Sequence, residues 1–231
     1  MNYLCWDIDG TLLRSAWAGY DALRDAVKDC YGVASYQFKH SLAGHTDSSI
    51  IKEIVEEISG KCEAPEFSRL MSCYEAYMTK YVPTHKGNLM PNVLQTLTYL
   101  EADAPHWRSC LLTGNTVIGS KLKIQNYKIG RFFDLEHSAT GDLAEDRSDL
   151  ARILYAKLRK DGLVNSVRQL IFVGDTPNDV RCAAAIGARC IIVLAGSEFK
   201  REAFKTYQPW RFLEKLPDRS DDFLQLINQP E

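Results

Sequence analysis

The stretch Tyr3-Leu4-Cys5-Trp6-Asp7-Ile8-Asp9-Gly10-Thr11-Leu12-Leu13 decides the fold. Tyr3 to Trp6 is apolar throughout, short, and ends at a turn signal, which predicts a buried strand. Gly10 permits a sharp turn there because a residue without Cβ tolerates backbone angles that others do not. Asp7 and Asp9 are therefore expected at the carboxyl end of a strand, where open α/β sheets hold their ligands.

Outward from this strand the rhythm turns helical. Trp17, Tyr20, Leu23, Val27 and Cys30 recur every three or four residues, and Gly32 stops the run. A polar connector leads to the turn Gly44-His45-Thr46-Asp47, where Asp47 or a neighbouring Ser is read as the cap of the next helix. That helix carries Ile50, Ile51, Ile54, Val55 and Ile58 and ends at Gly60. A third helix carries Phe67, Leu70, Tyr74, Tyr77 and Tyr81 and stops before Pro83. Residues 16–85 thus read as an all-helical unit inserted after the first strand, with residues 1–15 and 86–231 forming the main domain.

After Pro91 helices and strands alternate. Val93, Leu94, Leu97 and Leu100 form a helix face, and Ser109 to Leu112 a strand ending in Thr113-Gly114-Asn115. A helix follows from Val117 to Gln125, then a strand start at Arg131 to Leu135 and a helix over Leu150 to Leu158. Gln169 to Val173 is a strand ending in Gly174-Asp175, Pro177 opens a helix closing near Gly187, and Cys190 to Leu194 is a fifth strand. The tail reads as helical over Glu198 to Tyr207 and Phe223 to Ile227. The alternation predicts an α/β fold, a doubly wound parallel sheet with helices on both faces.

The chain has 231 residues, 45% of them hydrophobic, enough for one full core, or for a core plus a smaller satellite domain. A net charge of −2 offers no basic face for nucleic acid or an anionic membrane. The apolar runs are strand-sized, too short to span a membrane, and no leader is expected ahead of Tyr3. Seven scattered cysteines without a Cys-x-x-Cys pair point to reduced thiols and a cytoplasmic protein. The five histidines show no zinc-ligand spacing.

Asp7-Ile8-Asp9-Gly10-Thr11 resembles the first motif of the haloacid dehalogenase superfamily, a large group of mostly phosphate-ester hydrolases. Leu111-Leu112-Thr113-Gly114-Asn115 resembles its second motif, and Ile171-Phe172-Val173-Gly174-Asp175-Thr176-Pro177-Asn178-Asp179 its fourth. The order and spacing cover nearly the whole chain and are most similar to the phosphoglycolate phosphatase-like branch. The resemblance implies a Rossmann-like core with the helical insert as a cap over the active site. It also implies Mg²⁺ as cofactor and a small phosphorylated metabolite as substrate.

On that footing Asp7 is the expected nucleophile, since a carboxylate is ionised at neutral pH without help. Its difficulty is repulsion: at about 3.5 Å each phosphate charge opposes it by roughly 4–5 kcal/mol at an effective dielectric of 20. A cation between them is required. Asp9 is the expected acid/base that protonates the leaving oxygen and then deprotonates water. Thr113, Gly114 and Asn115 form an anion cradle at a strand end. Mg²⁺ takes hard oxygen ligands, and Asp7, the Asp9 backbone carbonyl and Asp175 suit it. Asp179 falls in the first turn after Pro177, either beside a metal-bound water or as a helix-dipole carboxylate.

The third motif departs from the family pattern, which places a Lys near the start of a helix. Arg147 is the cation in Gly141-Asp142-Leu143-Ala144-Glu145-Asp146-Arg147-Ser148-Asp149-Leu150 and is assigned the phosphate. Its rivals Lys121 and Lys123 read as solvent-facing helix charges. In the Gly44-His45-Thr46-Asp47 turn, His45 and Thr46 are candidate cap contacts to substrate, with an ordinary helix-start turn as the alternative. The rival functions are a phosphomutase on the same scaffold, a metal-free 2-haloacid dehalogenase, and a non-catalytic phosphate-binding module.

Overall fold

The computed structural model describes residues 1–230. The first strand, β1 (Asn2–Trp6), is followed by the two-residue β2 (Leu13–Arg14) and three helices, α1 (Ala18–Tyr31), α2 (Asp47–Ser59) and α3 (Ala64–Tyr81). Then come β3 (Asn88–Leu89), α4 (Val93–Asp103), β4 (Trp107–Leu111), α5 (Val117–Asn126), α6 (Arg147–Lys160) and β5 (Leu170–Gly174). The chain closes with α7 (Pro177–Ala184), β6 (Arg189–Val193), β7 (Arg211–Leu213) and α8 (Ser220–Ile227).

Five parallel strands form one sheet in the order β4-β1-β5-β6-β7. The strand β1 is buried on both faces, which explains its unbroken apolar run. Tyr3 and Cys5 pack on one side against α6 and α7, while Leu4 and Trp6 pack on the other with α4 and α8. Because β1, β4 and β5 run parallel with Trp6 opposite both Leu111 and Val173, their carboxyl ends align. Asp7, Thr113 and Asp175, far apart along the chain, therefore leave the sheet at one rim.

The three helices after β2 bury a core of their own, built from Ala22, Leu23, Ile51, Ile54, Leu70 and Met78 among others. Where the chain leaves and re-enters the sheet domain, β2 and β3 pair antiparallel, Leu13 opposite Leu89 and Arg14 opposite Asn88. Directly beyond this clasp Ala16 and Trp17 adopt left-handed backbone angles, φ 49° and 68°.

Three local expectations fail. Arg131 to Leu135 is no strand: it holds part of a single 3-10 turn, Gly130–Phe132, and one bridge from Phe133 to Ser109. The tail from Glu198 to Tyr207 contains only the 3-10 turn Arg201–Phe204, and the chain instead adds the edge strand β7. The cap of α2 is Thr46, whose hydroxyl accepts the Ser49 N–H; Asp47 is the first helical residue.

Candidate active site

Gly10 fixes how the first motif meets the fourth. Its φ is +80°, and a Cβ there would lie 2.3 Å from Asp175 Oδ2, so only glycine admits the Asp175 carboxylate at this turn. Thr11 Oγ1 donates to Asp175 Oδ1 at 3.2 Å. The carboxylates of Asp7, Asp175 and Asp179 then offer oxygens all within 4.8 Å of one another, and all three side chains are buried.

Arg147, the first residue of α6, is the guanidinium among them. Its Nη2 lies 2.5 Å from Asp179 Oδ1 and 3.1 Å from Asp7 Oδ1, with 3% of its surface exposed. Arg147 Nε has no protein partner among the described residues, which leaves one buried donor over. Three carboxylates and one guanidinium leave an excess of two negative charges. The cost is visible in the acids. Burial, with Asp179 and Asp9 nearby, pushes Asp7 up to about 6 despite Arg147. Burial, Asp179 and Asp7 push Asp175 well above the usual carboxylate range. A divalent cation with hard-oxygen preference fits both the donor set and the uncompensated charge.

Asp179 does two jobs at once. Its Oδ2 accepts the Thr176 N–H at 2.9 Å and the Thr176 hydroxyl at 2.7 Å, a capping box on α7, while Oδ1 faces Arg147. Both oxygens are taken, so Asp179 enters the cluster as a fixed charge.

The Asp9 side chain does not join the cluster. The sequence leads one to expect Asp9 to offer the metal its backbone carbonyl and to keep its carboxyl for acid/base work, and its side chain lies outside the cluster of Asp7, Asp175 and Asp179. Its Oδ2 accepts from Lys123 Nζ at 2.5 Å and from Asn115 Nδ2 at 2.8 Å, and Lys123 also reaches Asn115 Oδ1 at 2.6 Å. Ser15 Oγ lies 3.4 Å from Asp9 Oδ1, and 43% of the Asp9 side chain is exposed. Lys123, read as solvent-facing, is 3% exposed, whereas Lys121 is indeed exposed. The signal was present: Gly119, Ser120, Lys123 and Ile124 share one helical face, and two small residues one turn before a lysine mark close packing.

Thr113 is fully buried. Its Oγ1 accepts from Asn115 Nδ2 at 2.9 Å. Its hydroxyl acts on the Asp7 carboxyl in the lowering direction, against burial. Thr113 is not among the residues lining the cleft. Gly114 does line the cleft, but a Cβ on it would come within 2.0 Å of the His45 carbonyl oxygen. It is the seat on which the helical unit rests. Asp47 N–H donates to the Gly114 carbonyl at 2.7 Å, and Asp47 Oδ2 accepts the Thr116 N–H at 2.8 Å. Thr46, expected to meet substrate, is buried, caps α2 and donates to the Glu145 carbonyl at 2.8 Å. His45 lines the cleft, exposed, with its ring stacked on His40. Burial and His40 lower its pKa.

Between the sheet rim and the helical unit lies a cleft of about 690 Å³. Asp7, Asp9, Asn115, Lys123, Arg147 and Asp175 form its floor, and residues of α1, α3 and the 40–50 segment its roof. No helix of the described residues is long and apolar enough to cross a membrane.

The sequence pattern of the haloacid dehalogenase-like hydrolases matches residues 4–193. No curated protein matches the chain significantly. Among solved structures, the fold is similar to a predicted phosphoglycolate phosphatase from Haemophilus somnus, 20% identical, with TM-score 0.70 over 98% of this chain and 97% of that one. It is similar to a predicted phosphatase from Clostridium acetobutylicum, 17% identical, with TM-score 0.71 over 97% and 98%. It is also similar to CbbY from Rhodobacter sphaeroides in complex with phosphate, 17% identical, with TM-score 0.66 over 93% and 95%.

Proposed function

The chain belongs to the haloacid dehalogenase-like hydrolases, and from that membership we propose that it is a Mg²⁺-dependent phosphatase of a small phosphate monoester, working through an aspartyl-phosphate. The observation that carries this reading is the division of the acids. Asp7, Asp175 and Asp179 crowd one buried cluster, while Asp9, two residues from Asp7, faces the cleft on a separate polar clamp. A lone phosphate-binding module has no use for that second, exposed carboxyl.

When bound, Mg²⁺ would be held by the carboxylates of Asp7 and Asp175 with the Asp9 carbonyl, and it would offset the repulsion between nucleophile and phosphate. The Asp7 carboxylate forms a bond to phosphorus as the ester P–O bond breaks. Arg147 and the Thr113 hydroxyl hold Asp7 in place for that attack. The leaving oxygen takes its electron pair and a proton from Asp9. Lys123 and Asn115 both bond Oδ2, so proton exchange falls to Oδ1, whose one protein contact among the described residues is the long hydrogen bond from Ser15 Oγ at 3.4 Å. Water then attacks the aspartyl-phosphate, returns a proton to Asp9 and frees Asp7 and phosphate. The helical unit, residues 16–85, acts as the cap: it roofs the cleft and is seated on Gly114, Glu145 and Asn178.

Turnover of p-nitrophenyl phosphate tests the reading. Hydrolysis with Mg²⁺ that stops with EDTA is expected. Clean protein with no Mg²⁺-dependent hydrolysis overturns it.

A further inference from the structure

The floor of the cleft accounts for a phosphoryl group, and the roof is much larger than that group needs. Its most prominent feature is Trp17. This tryptophan is 70% exposed, the most exposed large hydrophobic side chain among the described residues, and it lines the cleft. Its backbone sits at φ 68°, directly after Ala16 at φ 49°. A bulky residue in the left-handed region is a real outlier, and such strain persists where the surroundings or a function demand it.

Trp17 is also backed by a ladder of rings. Its indole meets Tyr20 edge-on at 6.0 Å and 83°, Tyr20 meets Phe38 at 4.7 Å, and Phe38 meets Tyr36 at 5.2 Å. The contact with Tyr20 braces one part of the indole, and with 70% of the side chain exposed most of its surface stays in solvent at the mouth of the site.

Charge sets what else the leaving group can be. Of the cations lining the cleft, Arg147 faces Asp7 and Asp179, Lys123 faces Asp9, and His40 faces Glu53. Arg14 extends to the Gly196 carbonyl at 2.9 Å, with Glu198 in the same wall. Among the described residues no pair of cations remains to cradle a second phosphate. The roof suits a neutral leaving group with a flat face.

We propose that Trp17 is the stacking platform of a leaving-group subsite, and that the substrates are nucleoside 5′-monophosphates or closely similar esters carrying a planar ring. The inference rests on the phosphatase reading. It says which alcohol leaves and not how the phosphate is transferred.

The test compares uridine or adenosine 5′-monophosphate with ribose 5-phosphate. The esters share the same phosphate on a primary ribose carbon and differ in the base. Stacking on an aromatic side chain is worth about 5- to 150-fold in binding. The wild-type chain is expected to favour the nucleotides in kcat/KM by at least about tenfold, within that range. Trp17→Ala is expected to erase most of that preference while leaving ribose 5-phosphate within about twofold, and Trp17→Phe to restore part of it. Equal losses on both esters, or a wild-type preference for ribose 5-phosphate, overturn the proposal. Should Trp17→Ala not fold, the wild-type ratio and the Trp17→Phe ratio decide. Hydrolysis of p-nitrophenyl phosphate separates the two readings: if it proceeds without any base preference, the platform fails and the phosphatase stands. If none of the esters is hydrolysed, the phosphatase itself fails.

Discussion

Two buried cations stand on either side of the first strand, and they face unequal amounts of negative charge. Lys123 meets a single carboxylate, Asp9, which keeps 43% of its side chain in the cleft. Arg147 meets Asp7 and Asp179 directly, with Asp175 in the same cluster and all of it buried. One side is balanced and touches water. The other is short of positive charge by two, and its acids are forced upward in pKa as a result. On the proposed mechanism this contrast would separate the chemistry, with the divalent cation and nucleophilic attack on the undercharged side and proton exchange with the leaving group and water on the balanced side.

The largest expected effect lies at the nucleophile. Asp7→Asn is expected to abolish turnover of p-nitrophenyl phosphate, and activity above a few per cent of wild type would remove the covalent scheme.

Next comes a direct comparison of the cations. Removing one partner of a buried ion pair costs about 3–5 kcal/mol, because the other is stranded. Arg147→Met is expected to lose about that much stability in denaturant without metal and to recover part of it with Mg²⁺. Lys123→Met strands only a half-exposed acid and is expected to lose about 1 kcal/mol or less. Equal losses would erase the asymmetry.

An effect that appears only within a band of pH is expected at the seam between the helical unit and the sheet. Burial pushes Asp47 from 3.8 up to about 6, against the pull of Lys123 and the Thr116 N–H. A raised acid contributes stability fully below its unfolded value and loses it as pH climbs through the folded one. Asp47→Asn is therefore expected to gain on the wild type between about pH 4 and pH 7, by up to about 3 kcal/mol. Thermal unfolding of both proteins across that range checks it; parallel curves would show that the seam carries no such penalty.

Much of this was legible from residue order, and the reasons are physical. The β1 run Tyr3 to Trp6 had to be buried on both faces, and the acids that follow aligned strands had to meet. Pro177 announced α7, and Gly32 and Gly60 closed α1 and α2 in left-handed geometry. The failures share a cause: contacts distant in sequence override local preference. The strand β7 is three residues long and exists only because β6 offers an edge. Thr113 Oγ1 also accepts from the Asn115 amide, a contact that residue order alone did not announce. Lys123 has the composition of a surface residue but is buried because Asp9 waits across the helix. Asp9 itself reads as a partner of Asp7 and is drawn off by that lysine.

The central claim is that Asp7 carries the phosphoryl group between two half-reactions. Borohydride reduction of enzyme quenched during turnover with Mg²⁺ and p-nitrophenyl phosphate, followed by peptide mass spectrometry, tests it most directly. The account predicts homoserine at position 7, dependent on both substrate and Mg²⁺. Undiminished turnover with Asp7 unmodified, or reduction at Asp9 or Asp175 instead, would contradict it.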